Sequence, residues 1–267
     1  MKFTRLFSVL FVAAATAFIS SSCGDSVEKA SDAKEDFYIF AFVGDELMTG
    51  RGGEKPMDPS PYDSHIFVYD QSGNWVPAKQ PIFAEFDSEA KQGQGLAFAR
   101  VLLTLNKKLK IGIVPCAVPG SMFADWQPGK KNFDTMVDRV KKASADGVLK
   151  GILWIQGEHE TSASAYRDSF PKFLKGLRNN FGKELPVIVS QIKMDPLPNP
   201  QKAINTYLMD YARSEADPLF YCCSIQEMNV GPDGKHYDTA NVMKLDDRFF
   251  EGFFSLSGYS PFPPEEK

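Results

Sequence analysis

The chain alternates short runs that are apolar throughout with longer stretches whose apolar residues recur every three or four positions. The apolar runs are Phe37–Val43 (FYIFAFV), Leu109–Val118 (LKIGIVPCAV), Gly151–Ile155 (GILWI), Leu185–Gln191 (LPVIVSQ) and Leu219–Ser224 (LFYCCS). Runs of this kind predict strands covered on both faces, as in a parallel sheet. Between them, Phe133, Met136, Val137 and Val140 have helical spacing, with Gly147 as a stop. Tyr166, Phe170, Phe173, Leu174, Leu177 and Phe181 repeat the pattern up to Gly182. Pro171 lies inside that second stretch and predicts a kink or a late start. Strand–helix alternation over this length predicts an α/β domain with three layers, αβα, around a mostly parallel central sheet. Residues 53–93 break the rhythm and read as a loop-rich insert with short strands around His65–Tyr69.

The first residues follow a different pattern. Lys2 and Arg5 precede a mostly apolar run from Leu6 to Ile19, followed by Ser20, Ser21, Ser22 and Cys23. The run is shorter than the roughly 20 residues of a membrane-spanning helix. It reads as a secretory signal over 1–22. A cysteine directly after small residues is similar to a bacterial lipobox, which predicts lipidation of Cys23. Residues 23–36 then form an anchor and a small, charged tether, and 37–260 the folded domain. These features predict an exported cell-envelope lipoprotein held to a membrane through its lipid.

The 267 residues are 43% hydrophobic and 24% charged, which is a globular composition. A formal net charge of −4 without a basic stripe argues against a nucleic-acid partner. Cys116, Cys222 and Cys223 remain after Cys23, too few and too irregular for a disulfide scaffold. Buried free thiols are expected. His65, His159 and His236 lack metal-ligand spacing, and the glycines at 50–53 lack the ending of a phosphate loop. No metal and no cofactor are expected. Trp75, Trp126 and Trp154 are read as core rather than as sugar-stacking platforms.

Sites in open α/β sheets form beyond the carboxyl ends of the strands. There the chain carries GDELMTGRG at 44–52, PCAVPGS at 115–121, WIQGE at 154–158 and DGKH at 233–236, with WVPA at 75–78 and GQGLAFA at 93–99 between them. In content and order these six blocks resemble the SGNH hydrolases. Within them, the likeness is to the sialate O-acetylesterase and acetylxylan esterase group (carbohydrate esterase family six). The resemblance implies the SGNH form of the flavodoxin-like three-layer fold. It implies Asp233 and His236 as acid and base, and Gly120 and Gln156 as donors to an oxyanion. Arg51 and Glu158 fall in the matched GRG and QGE blocks, and O-acetylated carbohydrate is the implied ligand.

The first block departs from the family's GQSNM. Glu46 occupies the position of the nucleophilic serine, Asp45 that of glutamine and Leu47 that of asparagine. A carboxylate attacking an ester would form a reactive anhydride, and it sets a negative charge where the transition state needs positive dipoles. Thr49 and Ser121 do not fall at the matching position. Pro119 replaces a glycine and has no N–H to donate. The sequence therefore predicts a family member inactive or impaired as a serine esterase, able to bind glycans. The alternative is an ester hydrolase working through Glu46 and His236. Contact between these two residues should raise the histidine pKa.

Overall fold

The computed structural model describes residues 34–54 and 63–257. The expected signal, Cys23 and most of the tether lie outside the described residues. Seven strands form one sheet in the order β3-β2-β4-β1-β5-β6-β7. These are β1 (Phe37–Gly44), β2 (Ile66–Tyr69), β3 (Trp75–Pro77), β4 (Lys110–Ala117), β5 (Val148–Ile155), β6 (Val187–Ser190) and β7 (Phe220–Cys223). All neighbours are parallel except β2 and β3. The antiparallel pair belongs to the insert of 53–93, whose two short strands add an edge to the sheet.

The helices are α1 (Glu46–Thr49), α2 (Leu96–Leu105), α3 (Lys131–Ala143), α4 (Ala163–Phe181), α5 (Asn199–Arg213) and α6 (Thr239–Ser257). α2 packs with α6, and α4 with α5, giving the expected three layers. β1 and β4 are buried along nearly their whole length because both faces are covered. Trp126 and Trp154 are fully buried and meet edge to face at 5.2 Å, so they are core. Trp75 packs on Phe37 and Tyr69. Cys116, Cys222 and Cys223 are free and buried. Burial pushes the thiols of Cys116 and Cys222 up to about 12.

Two readings change. α4 runs without a break from Ala163 to Phe181 through Pro171. Ser162 caps it, accepting from the Ala165 N–H, so the start is not late. Proline removes one N–H there, but Phe170 and Phe173 on either side are fully buried, and packing of that face outweighs one lost bond. α5 is an additional helix whose polar composition hid it. Its buried residues include Gln201 and Asn205, which bind loop backbone.

The three central strands end flush. Gly44 is level with Ala117 of β4 and Ile155 of β5. The ladder continues one step further, with the Asp45 N–H donating to the Ile155 carbonyl and the Val118 N–H to the Gly44 carbonyl, both at 2.8 Å. Gly44 has φ +141°, and a Cβ there would lie 1.7 Å from the Ile155 oxygen. Only glycine lets the chain leave the sheet this tightly and deliver Asp45 and Glu46 to its edge.

Candidate active site

Two turns and two loops meet at this edge. The β1–α1 turn brings Asp45, Glu46 and Arg51. The segment after β4 brings Gly120, and the one after β5 brings Gln156, Glu158 and His159. The turn before α6 brings Asp233 and His236. The structure brings Glu46, Arg51, Asp233 and His236 into direct contact, links Gly120 to them through Asp45, adds His159, and sets Gln156 and Glu158 in buried positions behind them.

Asp233 and His236 form a dyad. Asp233 Oδ2 lies 2.6 Å from His236 Nδ1, while Oδ1 accepts from the backbone N–H groups of Lys235 and His236. These donors hold the Asp233 carboxyl down at about 2. His236 Nε2 faces Glu46 Oε1 at 3.3 Å. Contact with the Glu46 carboxylate, aided by Asp233 and opposed by burial, raises the His236 pKa, as the sequence led us to expect. Contact with His236 in turn lowers that of Glu46, with His159 and Arg51 helping. Gly52 permits this approach, since a Cβ there would lie 2.5 Å from His236 Cβ.

Arg51 fixes the other oxygen. Its Nη1 donates to Glu46 Oε2 at 2.9 Å. Its Nε and Nη2 grip the Asp87 carboxylate at 2.8 and 3.1 Å. Asp87 also accepts from the Thr49 hydroxyl at 2.6 Å. This two-pronged grip aims the guanidinium.

Asp45 is fully buried and joins both halves of the site. Its Oδ1 accepts from the Glu46 N–H at 2.8 Å and the Gly120 N–H at 2.6 Å. Its Oδ2 holds His159 Nδ1 at 2.7 Å. His159 Nε2 then lies 3.6 Å from Glu46 Oε1. Two aspartate–imidazole pairs thus face one carboxylate oxygen. His159 has no metal-binding spacing, and its role is visible only once Asp45 is placed beside it. Among the described residues, no group of three or more histidine, cysteine or acidic side chains is arranged to hold a metal ion.

The expected oxyanion donors are otherwise engaged. The Gly120 amide is occupied by Asp45. The Gln156 amide nitrogen donates to the Ser121 carbonyl at 3.2 Å and to Glu160 Oε1 at 3.0 Å. Gln156 thus ties the loop after β4 to the loop after β5. Glu158 accepts the Leu47 N–H at 3.0 Å with Oε1. Burial, together with the neighbouring Asp45 charge, raises its pKa well above the ordinary range. Burial also raises the Asp45 pKa, against the pull of His159 and of the Glu46 and Gly120 amides.

These ion pairs set a pH dependence. The raised His236 pKa contributes stability that is complete below the unfolded value of about 6.5 and is lost as pH rises through the folded value. The lowered pKa values of Glu46 and Asp233 contribute stability that is complete above about 4–4.5 and lost on acidification through the folded values. The melting temperature should therefore peak in the mildly acidic range and fall above neutrality. In His236→Ala the alkaline fall should flatten. Parallel melting curves across pH that keep the same alkaline slope would refute this.

Residues 36–255 match the family described as carbohydrate esterase, sialic acid-specific acetylesterase. A probable carbohydrate esterase of Arabidopsis thaliana, At4g34215, is 28% identical over 173 residues, covering 56% of this chain and 66% of that protein. The solved structure of the Arabidopsis protein superimposes with a TM-score of 0.72 at 24% identity, covering 82% of this chain and 98% of that one. NanS has a TM-score of 0.64 at 15% identity over 83% and 97% of the two chains. XAC1771, a carbohydrate acetylesterase from Xanthomonas citri, has a TM-score of 0.59 at 18% identity over 84% and 56%. The likenesses below 25% identity establish the common three-layer fold. With the family match running from the first strand into the last helix, the chain belongs to the sialic acid-specific acetylesterase family of carbohydrate esterases.

Proposed function

We propose that this protein recognises O-acetylated carbohydrate at the edge of β1, β4 and β5 and does not transfer the acyl group through residue 46. The observation that carries the reading is the placement of Asp45 Oδ1 on the Glu46 and Gly120 amides at 2.8 and 2.6 Å. Serine esterases need such amides to be free for the developing oxyanion. Here the Asp45 carboxyl already occupies them, beside a carboxylate at the nucleophile position. Glu46 is also a poor general base, because its lowered pKa weakens its hold on a proton. Space for a ligand remains, since a Cβ at Gly120 would meet no atom within 4 Å.

The test pairs turnover with binding. 4-Nitrophenyl acetate and acetylated xylan should show no hydrolysis dependent on His236. Either O-acetylated sialic acid or acetylated xylo-oligosaccharide should raise the melting temperature, by about 2.7 kcal/mol of stability at a hundredfold excess over Kd. Turnover lost in His236→Ala would overturn the reading, as would absence of stabilisation by both sugars. We further propose that the protein is an exported lipoprotein anchored through Cys23. Radiolabelled palmitate should enter the parent and not Cys23→Ser; equal labelling would remove the anchor.

A further inference from the structure

The Glu46 environment is more ordered than a disused site requires. Oε1 faces two imidazoles, each tied at Nδ1 to an aspartate. Oε2 faces a guanidinium fixed by Asp87. An acyl carbon is the wrong electrophile for such a carboxylate, because the product is an anhydride. A saturated carbon is a suitable one, because the product is an ordinary ester that a histidine–aspartate dyad can hydrolyse.

We propose that Glu46 is a nucleophile toward saturated carbon bearing an oxygen leaving group, with the anomeric carbon of a glycoside as the substrate class. The choice of a sugar rests on the carbohydrate recognition proposed above; the nucleophile rests on the geometry of Glu46 alone.

The steps balance with water as the only co-reactant. First, a lone pair on Glu46 Oε1 forms a bond to the anomeric carbon. The carbon–oxygen bond to the leaving group breaks, and the leaving oxygen takes the proton from His236 Nε2. Ester formation removes the charge on Glu46 that held His236 as imidazolium, so the ring stays neutral as a base. Second, His236 Nε2 takes a proton from water as its oxygen attacks Glu46 Cδ. Negative charge develops on Oε2, opposite Arg51 Nη1, which is 2.9 Å away in the resting site. Arg51 thus supplies the stabilisation that the Asp45-filled amides cannot. Collapse breaks the bond from Cδ to Oε1, which departs with the sugar and takes the proton from His236. The oxygen of water replaces it in the Glu46 carboxylate, and the acid proton of the product carboxyl returns to His236. Asp45 acts as a positioning residue by holding His159 against Oε1. Glu46 is only 14% exposed, while the His159 side chain is 39% exposed, so the approach lies on the His159 side.

The test uses the full chain with three probes: glycidol, and the 2-deoxy-2-fluoro derivatives of glucosyl and xylosyl fluoride. Fluoride and a strained epoxide leave without a general acid, so bond formation survives in His236→Ala while ester hydrolysis does not. Peptide mass mapping should find an adduct on Glu46 in His236→Ala and none in the shape-matched Glu46→Gln. The parent in heavy-oxygen water should place label in the Glu46 carboxylate after turnover of glycidol. Arg51→Met should clear the adduct more slowly, on the order of a hundredfold. Failure of all three probes to modify Glu46 in a folded His236→Ala protein overturns the proposal. Stabilisation by acetylated sugars without an adduct would leave the carbohydrate reading standing and remove the nucleophile. An adduct without stabilisation would support the nucleophile and remove the carbohydrate reading.

Discussion

Replacing Glu46 by serine alone should leave the protein close to inactive on 4-nitrophenyl acetate, and replacing Asp45 and Glu46 together by glutamine and serine should create an esterase. The reason lies in the two amides. In Glu46→Ser the hydroxyl would stand before a ready base, because His236 is already oriented by Asp233 at 2.6 Å. The Asp45 carboxylate would still hold the Gly120 N–H at 2.6 Å. It would repel the oxyanion forming beside it. Removing a single oxyanion donor from a serine hydrolase lowers kcat about a hundred- to a thousandfold. The Asp45→Gln/Glu46→Ser protein should therefore exceed Glu46→Ser by at least about a hundredfold in kcat. A third change, His236→Ala, should abolish the gain, because a serine without its base loses its activation. Equal activity in the single and double variants would show that the amides are not limiting, and would leave residue 46 as the whole explanation.

The largest expected effect on stability lies at Asp246. This carboxylate is fully buried on α6 and reaches across to the start of α2. It accepts from the N–H groups of Gly95 at 2.9 Å, Ala97 at 3.0 Å and Phe98 at 3.2 Å. With its amide nitrogen turned inward, Gln94 adds a donor at 2.9 Å. α2 begins at a glycine with no capping side chain, so a residue far along the chain caps it. Burial pushes the Asp246 pKa up to about 7 against the opposing pull of those N–H donors. Asp246→Ala leaves buried N–H groups without acceptors, and each such group costs about 1–3 kcal/mol. The helix also relaxes in part, so a total of about 3 kcal/mol is expected. For a domain of this size that is a fall of roughly 6–12 °C in Tm. Asp246→Asn keeps one acceptor oxygen and should lose about 1 kcal/mol. Thermal or urea unfolding checks both. Equal losses in the two variants would mean that the space, not the acceptor, matters.

The layers of the fold were legible in the chain because burial on both faces leaves an unbroken apolar signature. Phe37–Val43 shows it, and the observed strand extends that run by only Gly44. α5 was not legible, because Gln201 and Asn205 point inward to bind loop backbone and spoil the apolar period. Pro171 did not delay the helix as one reading expected: the local penalty is offset by the aromatic packing around it. Within the site, the block order placed Glu46, Asp233 and His236 together. It did not show that Gln156 faces Ser121 and Glu160, because an amide's direction depends on neighbours distant in sequence.

The sequence by itself determined the strand–helix alternation and the carboxylate at position 46, and its block order led to the expectation that His236 lies nearby. Each follows from local pattern or from a block whose spacing fixes where the chain leaves the sheet. Only the tertiary structure decided that Asp45 fills the amide pair, that His159 becomes a second imidazole on Glu46, and that Asp246 caps α2. Each joins a carboxylate to groups on another element, and no local rule states which donor a buried carboxylate will find. Burial makes the match compulsory, since a charge removed from water must meet donors wherever the fold brings them.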